Sequence, residues 1–335
     1  MFARSHSAAV SSPSLPAQEA RPQRLDARRD GYAERTIITS DGVRLEVRDY
    51  GSAGSATHTL VLLHGLSLTQ ASWALQIREL RRRWGNSVRI VTYDHRGHGD
   101  STGAAMQTYQ IDRLAADLAD VLTALHVKGP LTLAGHSMGG MTALAYFGRP
   151  AEDRPVEPQG LVLIATAAGR LAERGIGRLL ASRATEGLFG LVSRMPRRAV
   201  DRSIEGLARP MLNGIVKYYG HGIADATTSP VHTISLTTAA GFLLGLKRYD
   251  QYHTLNSIAA KTIIISGGAD VLTPVAHAND LAAAIPDAVH VHQPTAGHML
   301  LHEESELVTN AIGAAIGSAD QSAGESQPMA MELAV

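Results

Sequence analysis

The chain holds one serine framed by glycines in a way that suits a nucleophile: Gly135-His136-Ser137-Met138-Gly139-Gly140. Residues 131–134 before it form a short apolar run of strand type, and residues 138–148 after it have a helical pattern, so Ser137 falls on a strand-to-helix turn. Such a turn strains the serine backbone and exposes its hydroxyl. Gly135 and Gly139 leave room for the tight turn, and Gly140 lets the helix approach neighbours that any Cβ would strike. With 32 glycines in the chain, the pentapeptide alone arises readily by chance. The strand before it and the helix after it give it weight.

A serine hydroxyl is a weak nucleophile until a base takes its proton, and the base needs an acceptor to orient it. Gly267-Gly268-Ala269-Asp270 follows the strand-like run 262–266, which puts a carboxylate just past a strand end. The preceding strand, 161–165, leads instead into Ala165-Thr166-Ala167, where there is no carboxylate. Pro294-Thr295-Ala296-Gly297-His298 supplies a histidine after the last strand, with His302 one helical turn on as the alternative. Asp270 is therefore the expected acid and His298 the expected base. Acyl chemistry also needs donors for an oxyanion. The expected donors are the backbone N–H groups of Met138, where a helix opens and its dipole adds in the same sense, and of Leu66 in the loop His64-Gly65-Leu66-Ser67. Gly65 allows close backbone approach, while His64 and His136 are expected to support the loop and the nucleophile turn. Trp73 is either a pocket floor or a core anchor. Asp94, His95 and His98 are metal-capable types, but with Arg96, Gly97 and Gly99 they read as a structural turn beside the site.

The elements that must position these residues alternate along the chain. Strands are expected over 34–39, 43–50, 59–63, 88–93, 131–134, 161–165, 262–266 and 288–292, and helices over 70–84, 111–126, 138–148, 275–285 and 303–316. This rhythm, with nearly continuous apolar central strands, specifies an α/β protein with a mostly parallel eight-stranded sheet covered by helices on both faces. Ile111, Leu114, Leu118, Val121, Leu122 and Leu125 recur at three- and four-residue steps, an apolar stripe for the sheet. The rhythm breaks over 167–256, which is helical and loop-like and is expected to form a cap between the core segments 34–166 and 257–316. Residues 1–33 and 317–335 are expected to be mobile tails.

Composition narrows the function classes. With 31 basic and 31 acidic residues the chain offers no overall attraction to nucleic acid, and without cysteine it has no disulfide, thiolate metal site or cysteine nucleophile. It shows neither a run of about 18 apolar residues nor an apolar signal region near its start, so a cytoplasmic location is expected. No cofactor or metal is implied: the serine, acid and base need none, and no second glycine-rich nucleotide signature follows a strand.

These motifs resemble the α/β-hydrolase superfamily over about 34–316. The matching pieces are His64-Gly65, Asp94-His95-Arg96-Gly97-His98-Gly99-Asp100-Ser101, Gly135-His136-Ser137-Met138-Gly139-Gly140, Gly268-Ala269-Asp270 and Gly297-His298. The order Ser137, Asp270, His298 is the order of that fold's triad. Within the superfamily the chain is similar to capped bacterial esterases and monoacylglycerol-lipase-like serine hydrolases. Epoxide hydrolases and haloalkane dehalogenases carry an aspartate where this chain has Ser137. The resemblance implies hydrolysis of a small-molecule or lipid ester through an acyl-enzyme. Acyltransferases, perhydrolases and carbon–carbon bond hydrolases share the same triad, and a ligand-binding protein on the same fold is the reading from another class. The cap adds an apolar stretch, Gly241-Phe242-Leu243-Leu244-Gly245-Leu246, and a basic group, Arg194, Arg197, Arg198 and Arg202. Together they would suit apolar acyl esters and peripheral contact with an anionic lipid surface.

Overall fold

A computed structural model of the chain describes residues 31–51, 56–174 and 234–322. The expected terminal tails up to residue 30 and from 323, and the cap arginines Arg194, Arg197, Arg198 and Arg202, lie outside the described residues.

Eight strands, β1 (Ala33–Ile38), β2 (Arg44–Tyr50), β3 (His58–Leu63), β4 (Val88–Tyr93), β5 (Leu131–His136), β6 (Gly160–Ile164), β7 (Lys261–Gly267) and β8 (Val289–Gln293), form one sheet in the order β1-β2-β4-β3-β5-β6-β7-β8. β2 pairs antiparallel with β1 and β4, and every other pairing is parallel. Alternate residues of the central strands feed two separate cores, as the two-residue period of a strand requires. Val61, Leu63, Leu131, Leu133, Leu161 and Leu163 point to one face, where they meet α2 (Ile111–Ala124), α3 (Met138–Phe147) and α5 (Val275–Ala284). Leu60, Leu62, Ala134, Val162 and Ile164 point to the other, under α1 (Ala74–Trp84) and α7 (Ser305–Ser322). The expected stripe on α2 is buried throughout.

Two helical stretches are divided. The stretch expected over 70–84 opens with a 3₁₀ turn, Gln70–Trp73, capped by the Thr69 side chain and tied to Asp94 through the Gln70 N–H; α1 starts only at Ala74. The stretch expected over 303–316 is a single turn, α6 (Leu300–Glu303), followed by α7. α7 continues to Ser322, past the expected start of the C-terminal tail at 317. The described ends of the 167–256 segment meet at a bridge between Gly169 and Asp250. Its helix α4 (Leu236–Arg248) seats Phe242 and Leu246 in the core that also holds α2.

Arg96 anchors this layer. Its guanidinium is fully buried and makes two bonds to Asp117 of α2, at 2.7 and 2.6 Å, and two to Asp41 in the β1–β2 turn, each 3.0 Å. The planar fork of arginine matches two carboxylates at once, as a lysine ammonium cannot. Removing one partner strands the others in a medium that solvates them poorly. Arg96→Ala is expected to lose about 3–5 kcal/mol of stability in urea unfolding, with Arg96→Lys between the two. A loss below about 1 kcal/mol, the scale of an exposed ion pair, would show that the pair is dispensable.

Candidate active site

The carboxyl ends of β3, β5, β7 and β8 lie at one edge of the sheet, the edge where open α/β sheets place their ligands. Ser137 sits between β5 and α3 with φ 53° and ψ −118°, a region that residues with a Cβ seldom occupy. Neighbouring bonds hold it there. Its N–H donates to the Ile164 carbonyl at 2.9 Å, and its own carbonyl accepts from the Gly140 and Met141 N–H groups and, at 2.7 Å, from the Thr166 hydroxyl. A Cβ on Gly139 would overlap the carbonyls of Leu63 and His64, and one on Gly135 would overlap the backbone of Gly139 and Gly140. A Cβ on Gly140 would strike the Thr166 side chain.

Ser137, Asp270 and His298, 161 residues apart at the extremes, come together in one hydrogen-bonded chain. His298 Nε2 lies 3.0 Å from Ser137 Oγ, and His298 Nδ1 lies 2.8 Å from Asp270 Oδ2. An ionised carboxylate can only accept, so Nδ1 carries the proton and Nε2 is left to accept from the hydroxyl. Asp270 is held in place by the Leu272 and Thr273 N–H groups, at 2.8 and 2.9 Å on Oδ1, and by the Thr273 hydroxyl, at 2.7 Å on Oδ2. Burial alone would push the Asp270 carboxyl up. The adjacent His298 and the Thr273 donors outweigh burial and hold it at about 2. The alternative histidine, His302, leaves its Nε2 without a partner among the described residues.

Around this chain the supporting residues are fixed. His136 Nε2–H donates to the His298 carbonyl at 2.8 Å, and burial lowers its pKa to about 3, so the ring stays neutral. The Glu303 carboxylate accepts from the N–H groups of Gly297 and Met299, clamping the backbone on both sides of His298. His64 Nδ1–H donates to the Gly65 carbonyl at 2.8 Å and Nε2 accepts from the His95 N–H at 2.9 Å; burial lowers its pKa to about 4. It braces the loop from inside the protein. Gly65 passes so near Ser137 that a Cβ there would sit 3.2 Å from Ser137 Cβ. Among the described residues neither the Leu66 nor the Met138 N–H donates to a protein acceptor. Met138 is the first residue of α3, where a helix has no internal acceptor for its N–H.

Trp73 is fully buried with Leu60, Leu62, Leu300 and Leu301, a core anchor and not a pocket floor. Asp94 is committed to the Gln70 and Asp100 N–H groups and the Gln70 amide. His95 and His98 hydrogen-bond to backbone. Three further residues support the site without having stood out in the sequence: Thr166, Thr273 and Glu303. Thr166 stands in the loop noted only for lacking a carboxylate, and Thr273 three residues past Asp270 is an ordinary turn position. Only Glu303, five residues past His298, offered a signal, and it resembles any helix-terminal carboxylate.

The profile of the Alpha/beta hydrolase family matches residues 60–311, so the chain belongs to that family. It is 24% identical over 278 residues to the AB hydrolase superfamily protein YisY of Bacillus subtilis, an alignment covering 82% of this chain and 96% of that one. Among solved structures, an esterase from Exiguobacterium antarcticum superposes with a TM-score of 0.65 at 20% identity, covering 84% of this chain and 98% of the other. A thermophilic esterase from Thermogutta terrifontis gives a TM-score of 0.64 at 24% identity, with 85% and 98% covered. At such identities the likeness establishes the common fold.

The depressed Asp270 pKa has a stability consequence with a definite sign. A carboxyl whose folded value lies below its unfolded value near 4 contributes stability that is complete above that value and is lost as pH falls toward 2. Asp270→Asn lacks this contribution at every pH. Urea unfolding at pH 5 and pH 2 is expected to show the gap between wild type and Asp270→Asn shrinking by about 2 kcal/mol on acidification; a pH-independent gap would contradict the assignment.

Proposed function

We propose that the protein is a serine hydrolase that cleaves carboxylic esters through an acyl-enzyme on Ser137. The observation carrying this reading is the Ser137–His298–Asp270 chain, with bonds of 3.0 and 2.8 Å, on a half-buried serine at a strained turn. Ser137 Oγ attacks the ester carbonyl as His298 Nε2 takes its proton. The charge that develops on imidazole is offset by Asp270, and the charge on the carbonyl oxygen is received by the Leu66 and Met138 N–H groups. His298 then protonates the departing alcohol. Water, deprotonated by the same nitrogen, attacks the acyl-enzyme and releases the acid. Preorganised donors of this kind are each worth roughly 10²–10³ in rate. A protein that only bound a ligand would not require all three groups in bonding order, which favours turnover over a binding role.

The segment 167–256 is the cap in this reading, with Leu243 and Leu244 of α4 half-buried and Phe242 fully buried. Its apolar composition favours medium or long acyl groups, such as those of monoacylglycerol-like lipids. Among the described residues no helix is long and apolar enough to cross a membrane.

A series of p-nitrophenyl esters of increasing acyl length tests the proposal. Ser137→Ala is expected to lower kcat by about 10⁴-fold or more while leaving the melting transition in place, and to abolish labelling by a fluorophosphonate. An optimum beyond acetate is expected from the apolar cap. Ester turnover retained in Ser137→Ala would overturn the assignment, and labelling of Ser137 without ester turnover at any length would redirect it to acyl transfer or carbon–carbon cleavage.

A further inference from the structure

Resting on that reading, we infer that His98 is a positioning residue for the oxyanion loop, presenting the Leu66 N–H through its hold on the neighbouring Ser67. The loop needs such a hold. Ser67 lies at φ 60°, and this unfavourable backbone is where the chain turns after Leu66. The loop's own bonds meet at the Gly65 carbonyl, where His64 Nδ1–H donates and the Leu68 N–H closes the turn at 3.2 Å, and neither takes up the Ser67 N–H. The Ser67 N–H donates to His98 Nε2 at 3.2 Å.

The ring of His98 is set for this task at every atom that bonds. Nδ1–H donates to the Arg96 carbonyl at 3.1 Å, which fixes the tautomer and leaves Nε2 as an acceptor. Arg96 itself is immobilised by Asp117 and Asp41. The His64 ring stands 5.2 Å from the His98 ring on one side, and Phe242 of α4 stands 5.4 Å away on another. Burial keeps the ring neutral, with its pKa lowered to about 3, so the acceptor persists across the working pH range. A path of packed and bonded groups thus runs from the buried Arg96 pair, and from Phe242 in α4, to the backbone beside Leu66.

The two nitrogens of His98 can be separated by substitution. An asparagine amide reaches the position of Nδ1 and can still donate to the Arg96 carbonyl, but stops short of Ser67. A glutamine carries its carbonyl oxygen to the position of Nε2 and can accept from the Ser67 N–H. His98→Gln is expected to keep kcat within about threefold of wild type, whereas His98→Asn and His98→Leu lower kcat by about 10–100-fold with KM changed less than threefold. Affinity for a trifluoromethyl ketone, which forms a tetrahedral adduct and needs the same donors, should fall in step with kcat/KM. Fluorophosphonate labelling of Ser137 in each variant reports the nucleophile independently, so failure of the Ser137 assignment shows in wild type itself. Equal kcat in folded His98→Gln and His98→Asn, or unchanged ketone affinity in His98→Asn, would overturn the inference, even if His98→Leu does not fold.

Discussion

The site depends on one close approach: the α-carbon of Gly139 lies against the carbonyls of Leu63 and His64, where a Cβ would overlap both. This contact lets the first turn of α3 press onto the end of β3. Ser137, at the tip of that turn, is left with nowhere to go except the left-handed region it occupies. The same approach brings the loop after β3 beside Ser137, so that a Cβ on Gly65 would sit 3.2 Å from Ser137 Cβ. The Ser137 turn and the loop after β3 are therefore products of a single packing constraint. Thr166 and the Ile164 carbonyl complete it by tying down the Ser137 backbone from β6.

Burial sets the protonation states on which the rest of the site relies. His64, His95, His98 and His136 all lie in the interior, and desolvation lowers the pKa of each. A neutral imidazole offers one donor and one acceptor, which lets His64 and His98 each join two backbone groups. Asp270 is the opposite case, a buried carboxyl that donors keep ionised. The contrast makes physical sense. The histidines brace the loop by being uncharged, and the aspartate steadies His298 by being charged.

Much of this was legible in the residues. Alternation of apolar runs with helical stripes specified the strands to within one or two residues at most ends, because strands buried on both faces leave little freedom in composition. Gly135, Ser137, Gly139, Asp270 and His298 stood out because turns at strand ends tolerate few residue types. Long-range side-chain bonds were not legible. Nothing local indicates that Arg96 would reach Asp117 and Asp41, that Thr166 would hold the Ser137 carbonyl, or that Glu303 would clamp the histidine loop, since each bond joins segments whose proximity the tertiary fold creates. The same holds for Gln70–Trp73, where tertiary bonds to Asp94 override an otherwise continuous helical pattern.

In the proposed reaction Ser137 carries the acyl group during turnover. Mixing the protein with a short-chain p-nitrophenyl ester, quenching with acid before the steady state and mapping the peptides by mass spectrometry tests this directly. Up to one acyl group per chain is expected on the peptide containing Ser137, appearing no slower than nitrophenol is released. Nitrophenol release that continues unchanged in Ser137→Ala, with no acyl group on Ser137 of the wild type at any quench time, would contradict it, since hydrolysis would then proceed by direct attack of water or through another residue.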